Sequence, residues 1–180
     1  CPIIPIKVIR ECWFNFPKRP VLIQRPLSLS LRRDLSASII QYNIFLLVNK
    51  NIYIRETELK DTPASKRLNK ELASWHHKSG LRAVYADSYR KILSQCVPGN
   101  TVEIGSGSGN FKRYAPQTIA TDIVEVPWID VVTDAVTLPF RQGAVSNLIG
   151  FDVLHHIEYP TQFFEEAGRV LKHGGRLIFC

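Results

Sequence analysis

The stretch Thr101-Val102-Glu103-Ile104-Gly105-Ser106-Gly107-Ser108-Gly109-Asn110 constrains this chain more than any other. An apolar-flanked β run ends at Ile104, three glycines follow at alternate positions, and Phe111-Lys112-Arg113-Tyr114 restarts a regular pattern. Glycines at that spacing let the backbone turn tightly and let a ligand approach the main chain without meeting a Cβ atom. A strand feeding such a loop, and the loop feeding a helix, is the nucleotide-cradling unit of doubly wound sheets. The helix start would add unpaired N–H donors.

The spacing separates two kinds of nucleotide site. The dinucleotide fingerprint G-x-G-x-x-G needs a glycine at position 110, where this chain has Asn110. Here the glycines run G-x-G-x-G, with Glu103 two residues before the first. This stretch resembles motif I of the class I S-adenosylmethionine-dependent methyltransferases, (Asp/Glu)-x-Gly-x-Gly-x-Gly. The resemblance implies that Glu103, Gly105, Ser106, Gly107, Gly109 and Asn110 hold the methionine portion of S-adenosylmethionine.

Downstream residues extend the likeness. Thr118-Ile119-Ala120-Thr121-Asp122 reads as a second strand ending in a carboxylate, 17 residues beyond Gly105. Nucleotide folds place there the acid that accepts from ribose hydroxyls, which marks Asp122, with Ile123 beside it, as a binding position. A surface Asp in a turn is the plainer alternative; strand order and spacing favour the ribose role. A third strand at 129–132 leads to Asp134-Ala135-Val136-Thr137-Leu138-Pro139-Phe140, similar to the family's Asp-Ala-x-x-Leu-Pro-Phe element. The resemblance assigns the Asp134 side chain and the Ala135 N–H to the adenine edge.

Residues 147–157 read as a fourth strand running into a loop. Ligands of doubly wound sheets bind beyond the carboxyl ends of the strands, so Asp152, Val153, Leu154, His155 and His156 should face the site. The family carries a similar Leu-His-His segment here and uses its loop against the cofactor. His155 or His156 is a candidate base for an acceptor hydroxyl, because histidine titrates near neutrality; a structural or substrate-positioning role is the alternative. A helix over 160–172, with Phe163, Phe164, Ala167, Val170 and Leu171 on one apolar face, ends at Gly174-Gly175. The run Arg169-Val170-Leu171-Lys172-His173-Gly174-Gly175 is similar to the family's Arg-Val-Leu-Lys-Pro-Gly-Gly, with His173 in place of proline. A fifth strand then begins at 176.

Ahead of the glycine loop two helices are expected, a polar one over 65–75 and, after a break at Gly80, an amphipathic one over 81–96. In the second, Leu81, Val84, Tyr85, Tyr89, Ile92, Leu93 and Cys96 recur at helical spacing and read as a sheet-packing face. In the resembling family this helix often covers the cofactor, which makes Tyr85, with Tyr89, a candidate donor-pocket residue.

Residues 1–62 carry no recognisable motif, and the apolar run at 39–48 fits a buried strand or a short helix equally. They hold 10 basic and 5 acidic residues, against 13 and 11 in 63–180, so most of the +7 formal charge lies outside the glycine-loop region. A nucleic-acid footprint would need a basic face there, and none is expected. The four cysteines show neither a C-x-x-C pair nor metal-ligand spacing, which favours a reducing, cytoplasmic setting and no metal. The longest apolar run, at 44–48, is far below the roughly 20 residues that span a bilayer. A chain that starts at Cys1 and holds no methionine is expected to be a fragment or a processed product.

These observations predict an α/β chain with a doubly wound, mostly parallel sheet, Rossmann-like and incomplete. Residues 1–62 are expected to be a helical or irregular extension and 63–180 the S-adenosylmethionine-binding methyltransferase domain. The resembling fold has two further strands beyond the fifth. Their absence is expected to leave that strand as an open edge and to remove part of the acceptor pocket. That puts the activity of the fragment alone in doubt, even where the full-length parent is a working enzyme. The expected activity is methyl transfer from S-adenosylmethionine to a small-molecule acceptor, since the strand-four loop lacks Asn/Asp-Pro-Pro-Tyr. A nicotinamide-dependent oxidoreductase-type nucleotide binder is one alternative, against which Asn110 speaks. A non-catalytic cofactor-binding fragment is the other.

Overall fold

The computed structural model describes residues 61–180 and two short strands, β1 (Ile6–Val8) and β2 (Leu22–Ile23). Helix α1 (Pro63–His77) starts on a capping box. Thr62 Oγ1 accepts from the Ser65 N–H at 3.1 Å, and Ser65 Oγ accepts from the Thr62 N–H at 2.9 Å. Pro63 occupies the first turn, where its missing N–H costs nothing, and such a cap stabilises a helix by about 1 kcal/mol. The chain breaks at Lys78, extended at φ −103°, so helix α2 (Ser79–Gln95) contains Gly80 in its first turn. The break falls two residues before the expected one.

Five strands follow in the expected places: β3 (Thr101–Ile104), β4 (Ile119–Asp122), β5 (Val131–Val132), β6 (Val145–Gly150) and β7 (Leu171–Phe179). Helix α3 (Pro160–Val170) lies between the last two. The sheet order is β1-β7-β6-β3-β4-β5-β2; every neighbouring pair is parallel except β5 with β2. This is a Rossmann-like, doubly wound sheet. Its faces separate by strict alternation, as strand geometry requires. Leu148, Leu177 and Phe179 pack with Phe163, Ala167 and Val170 of α3, while Ile149 and Ile178 pack with Trp75 of α1 and with Tyr89 and Ile92 of α2.

Four sequence expectations need correction. The glycine loop leads into a 3-10 turn, Asn110–Arg113, instead of an α-helix, so no helix start with its row of free N–H groups stands behind it. The outer edge of β7 is not open, because Ile6, Lys7 and Val8 pair with Leu177, Ile178 and Phe179. Helix α3 stops at Val170: Leu171 already pairs with Val145, residues 172–175 bulge out with Gly174 at φ +73°, and the ladder resumes at Arg176 opposite Asn147. On α2, Val84 is 65% exposed and Leu81 37%, so the buried stripe is narrower than the apolar spacing. The apolar run at 39–48 lies outside the described residues.

Side-chain bonds fix the strand ends. The buried Asn147 amide exchanges two 2.8 Å hydrogen bonds with the Val97 backbone, tying the segment after α2 to β6. Arg169 makes a two-pronged contact with Glu166 and donates to the Leu138 and Phe140 carbonyls, binding α3 to the turn beyond β5. With this frame set, the carboxyl ends of β3, β4, β5 and β6 open on one edge of the sheet.

Candidate functional site

The glycine loop leaves β3 through three left-handed residues: Gly105 at φ +60°, Gly107 at +51° and Gly109 at +69°. A Cβ on Gly105 would lie 2.2 Å from Val153 Cγ2, and one on Gly109 would lie 2.4 Å from Trp128 Cδ1. Both positions therefore exclude a side chain sterically as well as conformationally. At Gly107 a Cβ would make only ordinary contacts, 3.9 Å from the Gly105 carbonyl oxygen and from Leu68 Cδ2, so the middle of the loop has room for one.

The loop is stitched to β4. The Ser106 N–H donates to the Thr121 carbonyl at 2.9 Å, and the Gly107 N–H donates to Asp122 Oδ2 at 2.8 Å. Asp122 Oδ1 accepts from the Val124 N–H at 2.9 Å. Burial pushes the Asp122 carboxyl up, against the pull of the Val124, Gly107 and Ile123 N–H groups. The predicted ribose carboxylate is thus already bonded to the loop, although each oxygen keeps a second lone pair. Ile123, next to it, is exposed.

Glu103 emerges from β3 on the face covered by α1 and α2, opposite its neighbours Val102 and Ile104. It is 3% exposed, and its Oε2 atom has no hydrogen-bond partner among the described residues. Burial raises its carboxyl to about 8, with the Ser106 hydroxyl opposing. A buried carboxyl oxygen without a partner costs free energy that the fold must carry elsewhere. A second buried acceptor, Asn110 Oδ1, is also unpartnered, while its Nδ2 donates to Ser108 Oγ at 2.8 Å. Two orphan acceptors thus flank the glycine loop. That is the arrangement a donor-bearing cation such as an ammonium group would satisfy, so the residues fit the amino-acid end of S-adenosylmethionine.

Asp134 stands two residues beyond Val132, which pairs with Asp122, and its Oδ1 accepts from the Val136 N–H at 3.0 Å. Ala135 lies between them, half-buried in the same turn. Along β6 the chain turns at Asp152, the one non-glycine residue with positive φ (+53°) among the described residues. Its N–H donates to the Cys180 carbonyl at 2.8 Å. A 3-10 turn, Leu154–His156, follows. His155 Nδ1 stands 3.7 Å from Asp152 Oδ1, beyond hydrogen-bond range, and the two histidine ring centroids lie 3.9 Å apart with their planes tilted by 41°. Burial and the neighbouring His156 push the His155 imidazole down, while Asp152 draws it up.

The predicted residues thus fall into two groups. Residues 103–110, 122–123 and 134–135 cluster at the β3–β5 ends, and Val153 touches that cluster through Gly105. Residues 152–156 and Tyr85 form the second group, with Tyr85 at 4.8 Å from Phe151. Burial raises the Tyr85 hydroxyl, helped by Asp152 and Glu71. Tyr89 does not line an opening: it is buried among Trp75, Tyr85, Phe111, Tyr114 and Phe151. Sequence reasoning missed Trp128, whose Nε1 donates to the Gly107 carbonyl at 2.8 Å. A lone tryptophan between two short strands was the available signal.

Comparison with known proteins agrees with this geometry. Residues 102–179 match the methyltransferase domain family (type 11). An uncharacterized protein of Methanocaldococcus jannaschii is 30% identical over 103 residues, covering 53% of this chain and 50% of that protein. A solved S-adenosylmethionine-dependent methyltransferase of Thermotoga maritima, described as a possible histamine N-methyltransferase, superposes with a TM-score of 0.56. It is 23% identical and covers 64% of this chain and 59% of its own. A Methanococcus maripaludis structure described as a putative S-adenosyl-L-methionine-dependent methyltransferase gives 0.51 at 17% identity, covering 69% and 67%. The chain spans about half the length of the curated relative it matches. No helix among the described residues is long and apolar enough to cross a membrane. The sheet order, the glycine loop and the match over 102–179 together support a class I S-adenosylmethionine-dependent methyltransferase domain over that stretch.

Proposed function

We propose that this chain binds S-adenosylmethionine in the crevice at the ends of β3–β6 and transfers its methyl group to a small-molecule acceptor. The observation that carries this reading is the buried, unpartnered Glu103 Oε2 beside the glycine loop. Glu103 and Asn110 would take the amino group, Asp122 the ribose hydroxyls, and Asp134 with the Ala135 N–H the adenine edge. Ile123 and the 152–154 turn, with Tyr85, would close the walls around the donor.

When bound, the cofactor supplies a methyl group made electrophilic by its sulfonium. The protein's share is orientation and exclusion of water: an acceptor atom held close to the methyl in a dry crevice reacts without covalent help from the chain. The His155–His156 end of the Asp152–His156 turn lies on the acceptor side in this reading. Its lowered pKa keeps His155 neutral at physiological pH, the state that can take a proton from an acceptor hydroxyl.

Calorimetry with S-adenosylhomocysteine and NAD tests the assignment. The wild-type chain should bind the first and not the second. Asp134→Ala should weaken S-adenosylhomocysteine binding about 10- to 100-fold through loss of a charged acceptor. Unchanged affinity in the variant, or preference for NAD, would overturn the proposal.

A further inference from the structure

Both main-chain polar groups of Gly107 are held by side chains. Asp122 Oδ2 takes its N–H at 2.8 Å, and the indole Nε1 of Trp128 donates to its carbonyl at 2.8 Å. The same indole lies close against Gly109, where an ideal Cβ would stand 2.4 Å from Cδ1 and 3.1 Å from Cγ and Nε1. Trp128 is itself seated on Leu68 of α1, Val126 and Ile129 in the small core cluster beyond β4. A trans peptide points its carbonyl and its N–H in opposite directions. Fixing the Gly107 carbonyl on Trp128 therefore turns the Ser108 N–H away from the indole, and that N–H makes no hydrogen bond among the described residues.

We propose that Trp128 is a positioning residue of the cofactor site: it clamps the Gly107–Ser108 peptide so that the Ser108 N–H is presented to the amino-acid end of the cofactor. The inference rests on the methyltransferase reading above and adds a residue outside the glycine motif. Trp128 acts through the loop and touches no reacting atom. Its removal should cost affinity only for ligands that carry the amino-acid end.

The test compares S-adenosylhomocysteine with 5′-methylthioadenosine, which lacks that end, by calorimetry on the full chain. Trp128→Phe keeps a ring on Gly109 but loses the donor. It should weaken S-adenosylhomocysteine about five- to tenfold, the worth of one hydrogen bond, and leave 5′-methylthioadenosine unchanged. Placing 3-benzothienylalanine at position 128 swaps the indole N–H for sulfur at nearly constant shape. It should give the same selective loss even where the phenylalanine variant fails to fold. Equal weakening of both ligands, or no weakening of either, would overturn the role of Trp128. A wild-type chain that binds neither ligand would instead overturn the methyltransferase reading itself.

Discussion

The β3–β4 end of the crevice and the turn beyond β6 carry similar residue types in opposite physical states. At the first, Glu103 and Asp122 are buried, one bonded to loop amides and the other missing a partner. At the second, Asp152 is 53% exposed at φ +53°, and its ionic neighbour His155 is 3.7 Å away. A donor common to a whole family suits a fixed, desolvated cradle whose bonds are made before the ligand arrives. An acceptor that differs between enzymes suits an exposed turn that can be re-aimed. The contrast teaches that carboxylates in one crevice need not share a task, and that burial sorts them.

The sharpest break of this comparison lies within the glycine loop. Gly105→Ala should cost about 3 kcal/mol of unfolding free energy, adding left-handed strain to a clash with Val153 Cγ2 at 2.2 Å. Gly107→Ala should cost only the strain, about 1–2 kcal/mol, because its Cβ would meet no atom closer than an ordinary 3.9 Å contact. The order reverses for ligand binding, since that Cβ would stand in the crevice. Urea unfolding measures the first effect and S-adenosylhomocysteine calorimetry the second. Equal stability losses would mean that Val153 yields and that the cradle is less rigid than its contacts indicate.

The buried carboxyl at Glu103 gives the next effect. Its folded-state pKa of about 8 exceeds the ordinary value near 4.3, so the native state holds a proton that the unfolded chain gives up. Its contribution to stability is therefore fully present below about pH 4 and is lost as pH rises through about 8. Relative to Glu103→Gln, the wild type should lose on the order of a few kcal/mol over that window. The difference between the two unfolding curves, measured across pH, reads this directly. Saturating S-adenosylhomocysteine should shrink it, because an ammonium partner stabilises the ionised form. A flat difference curve would show Glu103 reaching water or a partner that the fold does not display.

The strand and loop positions were legible because they depend on local rules. The β runs at 101–104 and from 147, and the left-handed demand at Gly105, Gly107 and Gly109, need no knowledge of the far chain. What escaped depends on tertiary contact. Phe111 to Tyr114 carries no local signal that separates an α-helix from a 3-10 turn, and the structure closes it as a 3-10 turn with Phe111 buried against Tyr89. The exposure of Val84 was invisible to periodicity, which fixes the direction of a helix face and not how much of it the sheet covers. Asp122 was found by spacing, but its bond to the Gly107 N–H belongs to the loop's return path. Trp128 depends on that same path, which explains why no motif flagged it.

The smallest expected effect tests the exposed half of the comparison. Asp152 draws the His155 imidazole up against burial and His156, which push it down. Asp152→Asn removes the carboxylate charge while keeping a side chain that tolerates positive φ, so the turn should persist. The His155 titration midpoint, followed by NMR, should then fall further below the ordinary histidine value, by a modest amount because the pair is solvent-screened at 3.7 Å. The S-adenosylhomocysteine affinity should change little, since the Asp152 side chain is 53% exposed and the turn would close the donor wall through its backbone and apolar side chains. If the affinity fell with the midpoint, the two halves would be coupled. The Asp152 carboxylate would then belong to the donor cradle, and the division drawn from burial would fail at the point where Val153 meets Gly105.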